Sequence, residues 1–170
     1  MLRDILLPEL DHEMANTRKV LERVPEDRGD FQPHAKSMTM ARLAGHLAGI
    51  PRWGVLALTC EEVDLAPKDG AGAPPPLEAP AASRAAMLEA FDAAVRELRD
   101  RLAEVPDDLL MQPWTLKKGG QVVFTMPRLS VLRQLLLNHA IHHRAQLGVY
   151  LRLNDIPLPP IYGPTADGDA

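Results

Sequence analysis

Leu6, Leu10, Met14, Thr17, Leu21 and Val24 recur at spacings of three and four residues. That period belongs to one face of an α-helix. It predicts a first helix from about Pro8 to Val24, closed by Pro25. Pro8 suits a first helical turn, where no backbone donor is required. Residues 25–38 (PEDRGDFQPHAKSM) carry no period and read as a loop. Thr39 is then an N-cap for a second helix with Leu43, His46, Leu47 and Ile50 on one face. Pro51 ends or kinks it, and the stretch PRWGVLALTCEEVDL reads as a further helical piece.

Residues 66–82 (APKDGAGAPPPLEAPAA) form a Pro-rich connector, too short to separate domains. Ser83 caps a third long helix, whose stripe is Met87, Phe91, Val95, Leu98, Leu102 and Val105. Pro106 closes it. Next, WTL and QVVFTM flank KKGG, the signal of a short β-hairpin. Two strands are not stable alone, so they must lie against the helices. Pro127 opens a last long helix reaching about Leu153, with Leu132, Leu135, His139, Gln146 and Tyr150 along one stripe. The tail 154–170 is Pro-rich and reads as extended. The expected fold is all-α: one domain over 1–170, an up-and-down four-helix bundle with one small β-hairpin before the last helix.

Composition narrows the function. Nineteen Lys and Arg against 23 Asp and Glu leave a formal charge of −4. A general binder of nucleic-acid backbones would carry a basic stripe, so no nucleic-acid partner is expected. No apolar run reaches the roughly 18 residues of a membrane span. The start MLRDILLPELDHE breaks into charge too early for a signal peptide. The single Cys60 excludes an intramolecular disulfide and fits a reducing, cytoplasmic compartment.

The chemistry sits in the histidines of NHAIHHRAQ. His139 and His143 are one turn apart on the apolar stripe, and His142 lies at its border. Two histidines at i and i+4 can share one divalent ion but need a third ligand from elsewhere. His46 is the best candidate, set in the middle of an apolar helical face and flanked by Ala44, Gly45, Ala48 and Gly49. Three inward neutral imidazoles suit zinc, nickel or iron better than an apolar core. His12 and His34 read as solvated. Glu9, Asp11 and Glu13 have no specific metal spacing. Cys60 reads as a small core residue, Arg144 as facing away from His139, and Trp53 and Trp114 as core or substrate wall.

The segments EMANTRKVLERVP (13–25), PHAKSMTMARLAGHLAGIPRW (33–53), QVVFTMPR (121–128) and NHAIHHRAQLGVYLRLNDIPLPPIYGPTAD (138–167) together resemble the DinB family of helical-bundle metalloproteins. The H-x-x-x-H-R-x-Q element with an upstream helical His carries the resemblance. It implies a four-helix bundle, commonly a homodimer. It also implies a divalent metal on His46, His139 and His143 with an open position. The ion would be zinc or nickel, with iron or manganese as further options. Relatives include transferases and isomerases that use low-molecular-weight thiols. The reading is therefore a metal-dependent enzyme with thiol S-transfer or hydrolase-like chemistry on an unidentified small molecule. The alternative is a metal-binding stress-response module without turnover.

Overall fold

The computed structural model describes residues 1–68 and 81–168. Helix α1 spans Leu2–Leu21 and a 3-10 turn follows at Glu26–Arg28. Next come α2 (Met40–Gly49), α3 (Pro51–Thr59), strand β1 (Glu62–Asp64), α4 (Arg84–Glu104) and α5 (Asp107–Met111). Strands β2 (Pro113–Lys118) and β3 (Gln121–Pro127) lead into the last helical run. That run is α6 (Arg128–Val131), a π-helical segment (Leu132–Asn138) and α7 (His139–Arg152). The fold is mostly helical with a small three-stranded sheet.

Both predicted side-chain caps form. Thr39 Oγ1 accepts from Arg42 N at 3.3 Å, and Ser83 Oγ from Ala86 N at 3.1 Å. Helix α1 begins six residues earlier than expected, so Pro8 lies inside it. Its ring is exposed, so the carbonyl that loses a donor can be hydrated. Leu2 N finds Asp107 Oδ2 at 2.9 Å, which anchors the new start. Of the predicted connector, residues 69–80 lie outside the described residues.

The sheet corrects the expectation of two strands. β2 and β3 pair antiparallel across Gly119 and Gly120, whose φ values are 62° and 80°. β1 joins β2 in parallel, with Val63 opposite Leu116. The stretch EEVDL, read as helical, supplies this strand. Asp64 makes the turn possible: its carboxylate accepts from Gly119 N at 2.8 Å and Gly120 N at 2.7 Å. A further bond from Ala66 N leads the effects that lower its pKa.

Helix α1 packs on α4 and α7, α2 on α4 and α7, and α3 on α4 and the π segment. Leu10, Leu21, Leu43, Leu47, Phe91, Leu98 and Leu132 are among the fully buried side chains between them. Gly54 lets α3 approach closely: a Cβ there would lie 2.7 and 2.8 Å from the two Leu98 methyls and 3.2 Å from Leu136 Cδ2. Leu98 is fully buried. Overpacking costs about 1–3 kcal/mol, more than the ~1 kcal/mol of helix propensity that alanine gains over glycine. Gly54→Ala therefore lowers the urea midpoint at unchanged m-value.

The last helix is longer than any other, as its unbroken pattern predicts, but it is not one uniform α-helix. A π turn holds more residues than an α turn, so later side chains are rotated from where an α-helix would place them. The buried row is Leu132, Leu136, Leu137, Ala140, Arg144, Leu147 and Leu151. Leu135, expected in the core stripe, is only half-buried. The tail is not simply extended either. It returns over α7, with Asp167 paired to Arg152 and accepting from Leu158 N at 2.9 Å.

Candidate metal centre

Two helices bring three imidazoles together. His46 is carried by α2 and is buried at 7% exposure among Leu43, Ala44, Leu47 and Ala48. His139 opens α7, and His143 follows one turn later; both are half-buried. His139 Nε2 lies 3.2 Å from His46 Nε2 and 2.9 Å from His143 Nε2. The candidate ligand atoms of the three residues all fall within 4.8 Å of one another.

The outer nitrogens say which lone pairs face inward. His139 Nδ1 is 3.3 Å from the Leu135 carbonyl. His143 Nδ1 is 2.8 Å from Gln146 Oε1. Both partners accept, so each Nδ1 carries the proton and each Nε2 presents a lone pair. Two lone pairs facing at 2.9 Å repel unless a cation lies between them. Nitrogens sharing one ion tetrahedrally through bonds of about 2.1 Å stand roughly 3.4 Å apart, near the 3.2 Å between His46 and His139. The donor set and its spacing thus fit a divalent metal.

Burial disfavours the charged form of the two α7 rings. Desolvation is the leading effect on His143 and pushes its pKa down to about 4, with the neighbouring histidines adding to it and Gln146 opposing. Desolvation likewise lowers His139, against the bond to Leu135. A neutral imidazole is the form that ligates.

The other residues singled out in the sequence go elsewhere. His142 is exposed; its ring stands 4.8 Å from that of His143 and outside the three-nitrogen cluster. His12 is exposed and bonded to Asn16 at 3.0 Å, and His34 lies in the loop. Glu9 pairs with Arg133, and Asp11 with Arg99 at 2.9 Å. Tyr150 leaves the metal face and donates to the Met38 carbonyl at 3.1 Å. Trp53 and Trp114 pack edge to face, and Trp114 is fully buried. Cys60 is not core: it is the half-exposed C-cap of α3. Its carbonyl accepts from buried Arg128 at 2.6 Å.

Sequence reasoning missed a buried ion pair on the opposite side of α7. Arg144 faces away from the histidines, as predicted, but into the core against α1. Arg144 Nη2 donates to Glu13 Oε2 at 2.7 Å, and Nη1 to the Glu13 carbonyl at 3.0 Å and Thr17 Oγ1 at 3.3 Å. Tyr162, from the tail, donates to Glu13 Oε2 at 2.8 Å and accepts from Arg144. Glu13 is thereby committed and is not a metal ligand. The tail also roofs an apolar cavity of about 690 Å³ against Ile141, Ala145, Gly148 and Val149 of α7. None of the three clustered histidines lines it.

A helical fold that converges histidines from its second helix and its last long helix has the order expected from the resemblance. A family model described as the DinB superfamily matches residues 9–147. The chain belongs to the DinB superfamily. Its DinB fold is similar to two crystal structures. One is a DinB-like protein from Bacillus cereus ATCC 10987, with 20% identity, a TM-score of 0.67, and coverage of 89% of this chain and 92% of that one. The other is the DinB-like protein YjoA from Bacillus subtilis, with 14% identity, a TM-score of 0.64, and coverage of 92% and 96%. No curated protein is significantly similar to the chain.

Proposed function

We propose that this DinB chain holds a divalent metal ion, zinc or nickel first, on His46, His139 and His143 and uses it for catalysis. The observation that carries the proposal is the convergence of three imidazoles, two of them held with Nε2 lone pairs inward. A bound ion with three neutral ligands keeps its +2 charge, lowers the pKa of a coordinated water or thiol, and stabilises developing negative charge. His46 anchors the set from the core, while half-buried His139 and His143 keep it open to a reactant. Thiol S-transfer with a low-molecular-weight thiol is the favoured reaction, by family analogy, with hydrolysis as its neighbour.

The second reading, a metal-binding stress-response module without turnover, has its own support. The acidic side chains of α1 nearest in sequence to a ligand role are committed to Arg133, Arg99 and Arg144. No carboxylate joins the cluster among the described residues. Elemental analysis of tag-free protein tests the metal. A transfer screen with several thiols and electrophiles separates the two readings: turnover that tracks metal content supports the enzyme, and stoichiometric metal without turnover supports the module.

The four helices of the bundle, in this reading, are α1, α2 with α3, α4, and the last helical run. A homodimer and a cytoplasmic location belong to the same proposal. No described helix is long and apolar enough to cross a membrane. Light scattering at twice the 18.7 kDa chain mass tests the dimer.

A further inference from the structure

We infer that Gln146 is a positioning residue that selects which nitrogen of His143 is offered to a metal; the inference rests on the metal-binding proposal above. An imidazole has two ring nitrogens, and in the neutral ring one of them carries the proton. The amide oxygen of Gln146 lies 2.8 Å from His143 Nδ1. It accepts only, so the proton stays on Nδ1. Nε2 is left with its lone pair, 2.9 Å from His139 Nε2. Without that acceptor, the ring is free to carry its proton on Nε2, which closes the lone pair to a metal.

His139 is held the same way but by other means. Its Nδ1 meets the Leu135 carbonyl, a backbone group one turn back that any residue at 135 would supply. His143 depends instead on a side chain, three residues ahead on the same helix. Gln146 is exposed, so packing does not require glutamine there. Alanine, lysine or glutamate would serve the helix equally well. What glutamine adds is the acceptor, at the i+3 spacing that brings it alongside the ring. The pairing of a ligand's outer nitrogen with an acceptor is a general way of fixing its tautomer and orientation.

The test compares Gln146→Leu, which removes the acceptor, with Gln146→Glu, which keeps it. His142→Ala is the control for disturbing a neighbour of His143. Zinc affinity is measured on tag-free protein by competition with a chromophoric chelator. The His143 tautomer is read in chelator-stripped, ¹⁵N-histidine-labelled protein by long-range ¹H–¹⁵N NMR at neutral pH. The inference expects Gln146→Leu to lose about 10- to 100-fold in zinc affinity, and to move the His143 proton toward Nε2. Gln146→Glu and His142→Ala keep wild-type affinity within a few-fold. The Glu variant also keeps the proton on Nδ1. Melting temperatures of the stripped variants stay at the wild-type value. Gln146→Leu binding zinc as tightly as wild type overturns the inference, as does Gln146→Glu binding as weakly as the leucine variant. A wild-type chain that takes up neither zinc nor nickel, iron or manganese overturns the metal proposal, and the tautomer of the stripped protein then decides the role of Gln146 by itself.

Discussion

His143→Ala abolishes stoichiometric metal binding, and His142→Ala leaves the metal in place. The two residues are adjacent, but the apolar stripe already sets His143 beside His139 and His142 at its border. Their surroundings separate them. His143 Nε2 is 2.9 Å from His139 Nε2, while His142 is exposed and lies outside the three-nitrogen cluster. Removing one of three protein ligands leaves two, one fewer than an open metal site ordinarily uses to hold its ion. His46→Ala and His139→Ala empty the site for the same reason. Each variant is checked by circular dichroism for fold, then by elemental analysis for metal per chain. Metal retained in His143→Ala and lost in His142→Ala would move the site to the exposed side of α7 and overturn the assignment.

Much of this site was legible because apolar periodicity and histidine placement are local signals. His46 stands out because it interrupts the face of Leu43 and Leu47, and the structure buries it there. Thr39 and Ser83 announce helix starts through side-chain chemistry that acts within three residues, and both caps form. The π segment left no comparable mark. LRQLLLN is apolar enough to satisfy either an α or a π phase, so extrapolating the α period placed Leu135 in the core and missed Leu136 and Leu137. Strand β1 was missed because its three residues follow a helical run directly, and its partner Leu116 lies far along the chain. Arg128 and Cys60 were missed for the same reason: the guanidinium meets carbonyls at the end of α3 only after the chain has folded. Non-local polar pairing has no periodic signature.

The buried pair of Arg144 and Glu13 is the largest such pairing, and its loss has the largest expected effect on stability. Arg144→Met keeps most of the side-chain volume and removes the guanidinium. Glu13, at 6% exposure, then keeps, among the described residues, only the Tyr162 hydroxyl as a side-chain donor to its carboxylate. Thr17 Oγ1 and the Glu13 carbonyl lose their Arg144 donor as well. Breaking a buried pair from one side costs about 3–5 kcal/mol. For a chain of this size each kcal/mol is worth roughly 2–4 °C, so the melting temperature falls by about 6–20 °C. The tail loosens with it, because Tyr162 loses the Arg144 donor that holds it to α1 and α7. Hydrogen exchange at the tail amide of Leu158, which donates to Asp167, therefore speeds up more than in the α4 core. Adding Glu13→Gln to Arg144→Met removes the stranded charge and recovers part of the loss, so the double variant is more stable than the sum of the two singles. Strict additivity in urea unfolding would show that the two side chains act independently. The metal content of all three variants stays at the wild-type level where they remain folded, since Arg144 leaves α7 on the side away from His139 and His143.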